Sequence, residues 1–371
     1  MFERYLAPQV KADLARKMVF LGGPRQVGKT TMAKSLLKAA KEGYLNWDAA
    51  ADRERLLKGE LPSSLLWAFD ELHKYRGWRN FLKGLYDGRR AGQKILVTGS
   101  ARLDYYRFGG DSLQGRYHFL RLHPLSAAEL KIGKNEDLRE LLERGGFPEP
   151  FFARSAVEAK RWSREYRTRL LREDLSSLEH VQDVGTLELL MLRLPELVGS
   201  PLSLNALRED LRVSHKTVSR WMDLLERLYA VFRLAPLGSS RIRAVLKERK
   251  HYHFDWTLVA EPGLRFENLV ASHLLKWAHY REDAFGENVE LRYFRDVDGR
   301  EVDFVLTEDG KPSVMVECKW SDAEVSPALR YLKAKFPQVP AWQVSAAGAK
   351  DYVTADGIRV CPAVRLLRDL V

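Results

Sequence analysis

Gly23-Pro24-Arg25-Gln26-Val27-Gly28-Lys29-Thr30 keeps the spacing G-x-x-x-x-G-K-[ST] at every constrained position, a spacing suited to holding phosphates. The glycines let backbone N–H groups curl around an anion. Lys29 brings positive charge to β- and γ-phosphates, and the Thr30 hydroxyl is placed to ligate Mg²⁺. The candidate cofactor-binding stretch is Gly23, Pro24, Arg25, Gln26, Val27, Gly28, Lys29, Thr30 and Thr31, with ATP and Mg²⁺ as the implied ligands. Hydrolysis also needs acids. In "SLLWAFDELHKYRGW" the apolar run Leu65 to Phe69 ends in Asp70 and Glu71. Asp70 suits the outer sphere of Mg²⁺ and Glu71 the polarisation of an attacking water. Without the upstream phosphate loop, the same Asp-Glu pair could simply cap a helix.

A second set of charged residues lies near the other end of the chain. In "LRYFRDVDGREVDFVLTEDGKPSVMVECKWS", Asp303 sits among apolar residues, and Glu317 and Lys319 complete a D…E-x-K pattern. Side chains alternate along a strand, so Glu317 and Lys319 share a face while Cys318 points to the other, toward a core. If Asp303 lies beside Glu317 on an adjacent antiparallel strand, the two carboxylates can hold Mg²⁺ or Mn²⁺, which activates water against a scissile phosphate. Lys319 would orient the nucleophile or offset negative charge. Upstream, "RFENLVASHLLKW" reads as an amphipathic helix over 265–277 from which Glu267 could add a third carboxylate. The competing account is an Asp303–Lys319 ion pair across strands, with Glu317 at the solvated edge, as a decayed nuclease fold used for docking would also retain. Isolated histidines such as His253 and His273 show no metal-ligand spacing with cysteine, which points to core or surface roles.

A third set suits a polyanion. "PLSLNALREDLRVSHKTVSRWMDLLERLYAVFRL" (201–234) predicts two short helices capped by Ser203 and Ser214, then a β-segment. Val218, Trp221, Met222 and Leu225 would face inward and leave His215, Lys216, Thr217, Ser219 and Arg220 outside, where a recognition helix meets the major groove. "SSRIRAVLKERK" (239–250) follows with five basic residues against one acid, including Arg241 and Arg243, and reads as a set of phosphate contacts. A winged helix used only for packing would show the same pattern.

The elements that must carry these residues can be read from periodicity. Short apolar strands near 17–22, 44–48, 65–70, 94–99 and 117–122, with helices between several of them, predict a parallel sheet in an α/β core. "KILVTGS" (94–100) ends in small polar residues; in additional-strand ATPases this place senses the γ-phosphate, which makes Ser100 the first candidate and Thr98 the second. Arg116 starts the last of these strands, with Arg102 and Arg107 nearby, and is the candidate finger toward a neighbouring subunit's nucleotide. Residues 151 to 200 read as helical, with Tyr166, Leu170 and Leu171 on one face. Strands at 290–295, 301–306 and 313–320 are separated by Asp-Gly turns.

Bulk numbers set the bounds. A chain of 371 residues with 45% hydrophobic and 30% charged residues suits two or three folded domains. Its net charge of +11 leans toward a polyanionic partner. Cys318 and Cys361 are the only cysteines, too few for a disulfide framework, and this predicts a reducing, cytoplasmic location. No run approaches the roughly 18 apolar residues of a membrane span.

"GGPRQVGKTT", "FDELHKYRGWRNFLKGLYD", "ILVTGSARL" and "GGFPEP" (145–150), taken in order, resemble the prokaryotic AAA-type ATPases fused to a C-terminal domain of unknown function. The resemblance runs from about Tyr5 to the strand at 314–320. It implies an AAA+ module over 1–150, a helical lid or connector over 151–200, a winged helix over 201–255 and a restriction-endonuclease-like domain, the PD-(D/E)xK type, over 256–371. It also implies a homo-oligomer, with a ring as one option. The expected function is ATP hydrolysis coupled to remodelling of, or translocation on, duplex or branched DNA, with a candidate metal-dependent nuclease site. The alternative is an ATP-dependent switch whose C-terminal domains bind a protein partner and cut nothing.

Overall fold

The computed structural model describes residues 3–37, 39–99, 113–170, 183–238 and 249–371. Ser100, Arg102, Arg107, Arg241 and Arg243 lie outside the described residues. The chain divides into two compact units, Met1–Pro124 and Leu125–Val371.

The first unit is a parallel five-stranded sheet: β1 (Met18–Gly22), β2 (Tyr44–Asn46), β3 (Leu66–Asp70), β4 (Lys94–Thr98) and β5 (Tyr117–Arg121), in the order β2-β3-β4-β1-β5. β1 is buried along its whole length, as a central strand covered on both faces must be. Phe20, Trp67, Phe69, Ile95 and Val97 join Trp78 and Leu82 of the helix Trp78–Asp87 in one core. In a parallel sheet every strand ends at the same edge, so Gly22, Asp70 and Thr98 emerge together. The register pairs Asp70 with Thr98 directly.

The unit closes at Pro124, short of the 150 expected from sequence. The reason lies in Leu125–Ala127, which bond into the second unit: Leu125 N–H donates to Gly146 O and Ala127 N–H to His273 Nε2. His273 and His253 are buried.

In the second unit, helices α2 (Leu204–Leu211) and α3 (His215–Arg227) form with Ser203 and Ser214 as their caps. Strands β6 (Pro201–Leu202), β7 (Val231–Pro236) and β8 (Arg249–His253) pair antiparallel in the order β6-β8-β7. Val218, Trp221, Met222 and Leu225 are all buried, as the helical spacing requires. Next come helix α4 (Pro262–Phe285), strands β9 (Val289–Arg295), β10 (Glu301–Glu308) and β11 (Lys311–Lys319), helix α5 (Pro327–Lys335) and strand β12 (Ala341–Ser345). β9, β10 and β11 form an antiparallel meander and β12 joins parallel to β11. β14 (Ile358–Pro362) and β13 (Tyr352–Val353) complete the sheet. β7 also pairs with β9, so β6, β7 and β8 belong with the meander to one nine-stranded sheet. Two details differ from the sequence expectation. α4 runs to 24 residues, well past 277. β11 ends at Lys319, so Trp320 lies beyond the strand and is 41% exposed.

Candidate functional site

The phosphate loop leaves β1 through two backbone conformations that need glycine. Gly23 has φ +132° and Gly28 +101°, and a Cβ on Gly23 would stand 2.3 Å from Leu122 O. The helix α1 (Lys29–Ser35) starts at once. Its Lys29 ammonium is buried and donates to Gly23 O at 2.9 Å and Pro24 O at 2.6 Å, so the cation already sits inside the loop that would cradle phosphates. Asp70 gathers three hydroxyls: Oδ2 accepts from Thr30 Oγ1 and Tyr44 OH, and Oδ1 from Thr98 Oγ1, each at 2.6 Å. The sequence pattern named Thr30, Asp70 and Thr98, and the structure joins them. It gave no sign of Tyr44, which reaches the site from the edge strand β2. Burial first, and then the bond to Asp70, push the Tyr44 phenol far above its ordinary pKa, so it acts only as a donor.

Glu71 takes a left-handed backbone, φ 55°, which is costly for a residue with a Cβ. Its N–H donates to Thr98 O at 2.9 Å and its carboxylate lies 3.1 Å from Lys74. Burial works against the charge on Lys74, but Asp48 and Glu71 outweigh it and raise its pKa. Arg116 is elsewhere. It precedes β5, at the edge opposite the chain's own phosphate loop, and its fork grips Asp87 at 2.9 and 3.1 Å.

Residues 15–131 match the AAA domain family. The first unit thus carries a match to an AAA domain. Residues 135–263 and 262–366 match two families described as domains of unknown function (DUF8612 and DUF4143). Uncharacterized proteins of Mycobacterium tuberculosis and Mycobacterium bovis are each 30% identical over 222 residues, 59% of this chain and 50% of theirs; the chain thus spans about half the length of the curated relatives it matches. Among solved structures, the RuvB Holliday junction branch migration motor of Thermotoga maritima is 19% identical, with TM-score 0.30 over 62% of this chain and 87% of that one. A STAND ATPase with a tetratricopeptide-repeat sensor from Pyrococcus horikoshii is 13% identical, with TM-score 0.24 over 76% of this chain and 48% of that one.

In the second unit, β10 and β11 bring the expected carboxylates into one neighbourhood. Asp303 Oδ2 accepts from Cys318 N–H at 2.8 Å, and Lys319 Nζ donates to Glu317 Oε1 at 2.8 Å. Glu317 Oε2 is buried with no partner among the described residues. Burial first, then Glu267 and Glu317, hold the Asp303 carboxyl well above its usual range, with Lys250 pulling the other way. The same order of causes, burial and then Asp303, Glu267 and Glu317, raises the Cys318 thiol. Cys318 thus lies beside the carboxylates and keeps partial exposure, where the sequence placed it facing a core.

Two expectations are corrected. Glu267 is not grouped with Asp303 and Glu317 as a third metal ligand; its Oε1 accepts from Tyr252 OH at 2.6 Å and lies 3.7 Å from Lys250 Nζ. Among the described residues, no three His, Cys, Asp or Glu side chains stand close enough together to hold a metal ion. Lys250, read from sequence as one of a run of phosphate contacts, is 1% exposed and bonds Glu301 at 2.5 Å. β8 lies inside the sheet between β6 and β7, which puts Lys250 among carboxylates and away from any ligand. Mg²⁺ commonly uses only one or two protein carboxylates and keeps several waters. Asp303, together with the unpartnered Glu317 Oε2, fits that smaller requirement.

On α3, His215, Lys216 and Arg220 are exposed. Thr217 is committed to the cap: its N–H donates to Ser214 Oγ at 3.1 Å, and the two hydroxyls stand 2.8 Å apart. No helix among the described residues is long and apolar enough to cross a membrane.

Proposed function

We propose that the protein hydrolyses ATP and uses the energy to act on duplex or branched DNA, gripped at the start of α3. The observation that supports the hydrolytic half best is the set of three hydroxyls on Asp70, which ties the phosphate loop to the ends of β3 and β4. Bound ATP with Mg²⁺ supplies the reactive phosphoanhydride. Lys29 transfers its donors from the Gly23 and Pro24 carbonyls to phosphate oxygens. Thr30 and Asp70 hold the metal's inner and outer sphere. Glu71, fixed by its strained backbone and by the bond to Thr98 O, orients the attacking water. Arg116 would serve a neighbouring subunit's nucleotide only after releasing Asp87.

The DNA half rests on the exposed His215, Lys216 and Arg220 at the start of a helix built like a recognition helix. A second reading, metal-dependent cleavage by a restriction-endonuclease-like domain, is favoured by Glu317 Oε2, a buried acceptor without a partner, beside Lys319. The order α4, three-stranded meander, α5, β12 suits that reading. Asp303 and Glu317 would hold Mg²⁺ or Mn²⁺, whose role is to polarise water and the scissile phosphate. Lys319 would neutralise charge at that phosphate.

Lys29→Ala should abolish ATP turnover, and unchanged turnover would remove the hydrolytic assignment. Duplex or branched DNA should raise the turnover of the wild type and bind more weakly as salt rises. Failure of duplex, single-stranded and branched DNA alike to bind would leave the protein-partner switch as the working account. Cleavage in Mg²⁺ or Mn²⁺ that disappears in Asp303→Asn, with ATP turnover intact, supports the second reading. Cleavage that survives there discards it.

A further inference from the structure

The edge of the five-stranded sheet opposite the phosphate loop carries a cavity of 380 Å³. Its position follows from the pairing of β1 with β4 (Val19 beside Leu96): the turn entering β1 and the turn entering β4 must meet at the same edge. Both turns are basic. "ARK" (15–17) supplies Arg16 and Lys17, and "GRRAGQK" (88–94) supplies Arg89, Arg90 and Lys94, all of which line the cavity. No Asp or Glu is among its described lining residues. The neighbouring acid, Asp87, has both carboxylate oxygens committed to Arg116.

Arg89 is held in place: it lies 3.6 Å from the centre of the Tyr86 ring and donates to Tyr86 O at 2.5 Å. Five like charges around one concavity repel one another. That arrangement becomes favourable when an anion of high charge density sits among them, and low dielectric walls strengthen the effect.

We propose that this cavity is a second anion site that binds a compact polyphosphate, a ligand with three or more closely spaced negative charges. Its volume falls within the range of small-molecule pockets and is too confined for the extended contact a nucleic-acid backbone makes. The site is separate from the phosphate loop. β1 spans the five residues between them, roughly 17 Å of strand, so one bound nucleotide cannot fill both with its phosphates. The proposal does not depend on ATP hydrolysis or on DNA.

The test is calorimetric titration of sodium tripolyphosphate into full-length Lys29→Ala protein, in which the phosphate loop has lost its cation. Saturable binding is expected. It should weaken by about tenfold or more when Arg16→Ala and Arg90→Ala are added, the scale of losing charge-assisted contacts. Both side chains are exposed, so their removal leaves the core untouched. Lys17→Ala with Lys94→Ala provides an independent pair. Arg53→Ala with Arg139→Ala, the same change of charge at exposed positions outside the cavity, should leave affinity unchanged. The proposal is overturned if tripolyphosphate fails to bind, or if the cavity pairs and the control pair weaken it equally. Orthophosphate binding as tightly at equal ionic strength would also overturn it, as would a single-stranded oligonucleotide occupying the site in preference to tripolyphosphate.

Discussion

The three hydroxyls on Asp70 can be ranked by what each leaves behind when removed. Oδ2 accepts from two donors, Thr30 and Tyr44, while Oδ1 accepts from Thr98. Thr98 is 1% exposed and Asp70 5%. Thr98→Val therefore strips one buried carboxylate oxygen of its bond at a position largely closed to solvent. A hydrogen bond to a charged group contributes about 1.5–3 kcal/mol, so about 2 kcal/mol should be lost, with little change in shape. Tyr44→Phe removes a donor from the oxygen that keeps Thr30, at a half-buried position, and should cost about 1 kcal/mol. The two units need not unfold together, which makes a single melting curve hard to assign. Hydrogen exchange read by mass spectrometry on peptides covering β3 and β4 reports the first unit alone. Exchange of the slowest amides should accelerate about 30-fold in Thr98→Val and about fivefold in Tyr44→Phe. If Tyr44→Phe is the more damaging, or if Thr98→Val leaves exchange unchanged, the account of Asp70 as a three-donor acceptor is wrong.

Two further outcomes follow from the second unit. Lys250→Met should destabilise it by about 3–5 kcal/mol by leaving Glu267 and Glu301 without their buried cation; adding Glu301→Gln should recover part of the loss, and urea unfolding followed by exchange on β8 and β10 would show whether it does. His273 donates from Nδ1 to Leu269 O and accepts at Nε2 from Ala127 N–H, so it is neutral when folded, and burial pushes it down to about 4. The unfolded chain binds the extra proton between about pH 6.5 and 4, and stability falls as pH drops through that window. His273→Gln should flatten the acid limb of the second unit by up to about 1.4 kcal/mol per pH unit; limbs of equal slope in the two proteins would contradict it.

What could be read from the sequence, and what could not, follows from how each residue reaches its site. The phosphate loop is contiguous, so its spacing alone specifies the turn, the cation and the hydroxyl. Asp70 was legible because an apolar strand ending in an acid has few other uses near such a loop. Tyr44 was not, because only the lateral order of parallel strands places β2 beside β3, and no local periodicity records that order. Lys250 was misread for the same reason. In sequence it belongs to a basic run, and antiparallel pairing then threads β8 into the sheet and buries the ammonium. Glu267 was placed on the correct helix and near the correct strands, but its tie to Tyr252 depends on the same hidden strand.

Lys250 also bears on how the second unit would work. It belongs to β8, which pairs with β7 beyond the α2–α3 helix pair, and its charge is met by Glu301 on β10 and Glu267 on α4. Burial opposes its charge, yet Glu267, Asp303 and Glu301 together raise its pKa, so it remains an ammonium. β7 continues the same sheet into β9. β8 and the carboxylates are thus joined twice, by backbone pairing through β7 and β9 and by a buried ion pair. An ion pair of this kind adds little net stability over apolar packing, but it is costly to break from one side. Separating β8 from β10 and α4 would therefore leave Glu301 and Glu267 without their buried cation and remove a positive charge that opposes the rise of the Asp303 carboxyl.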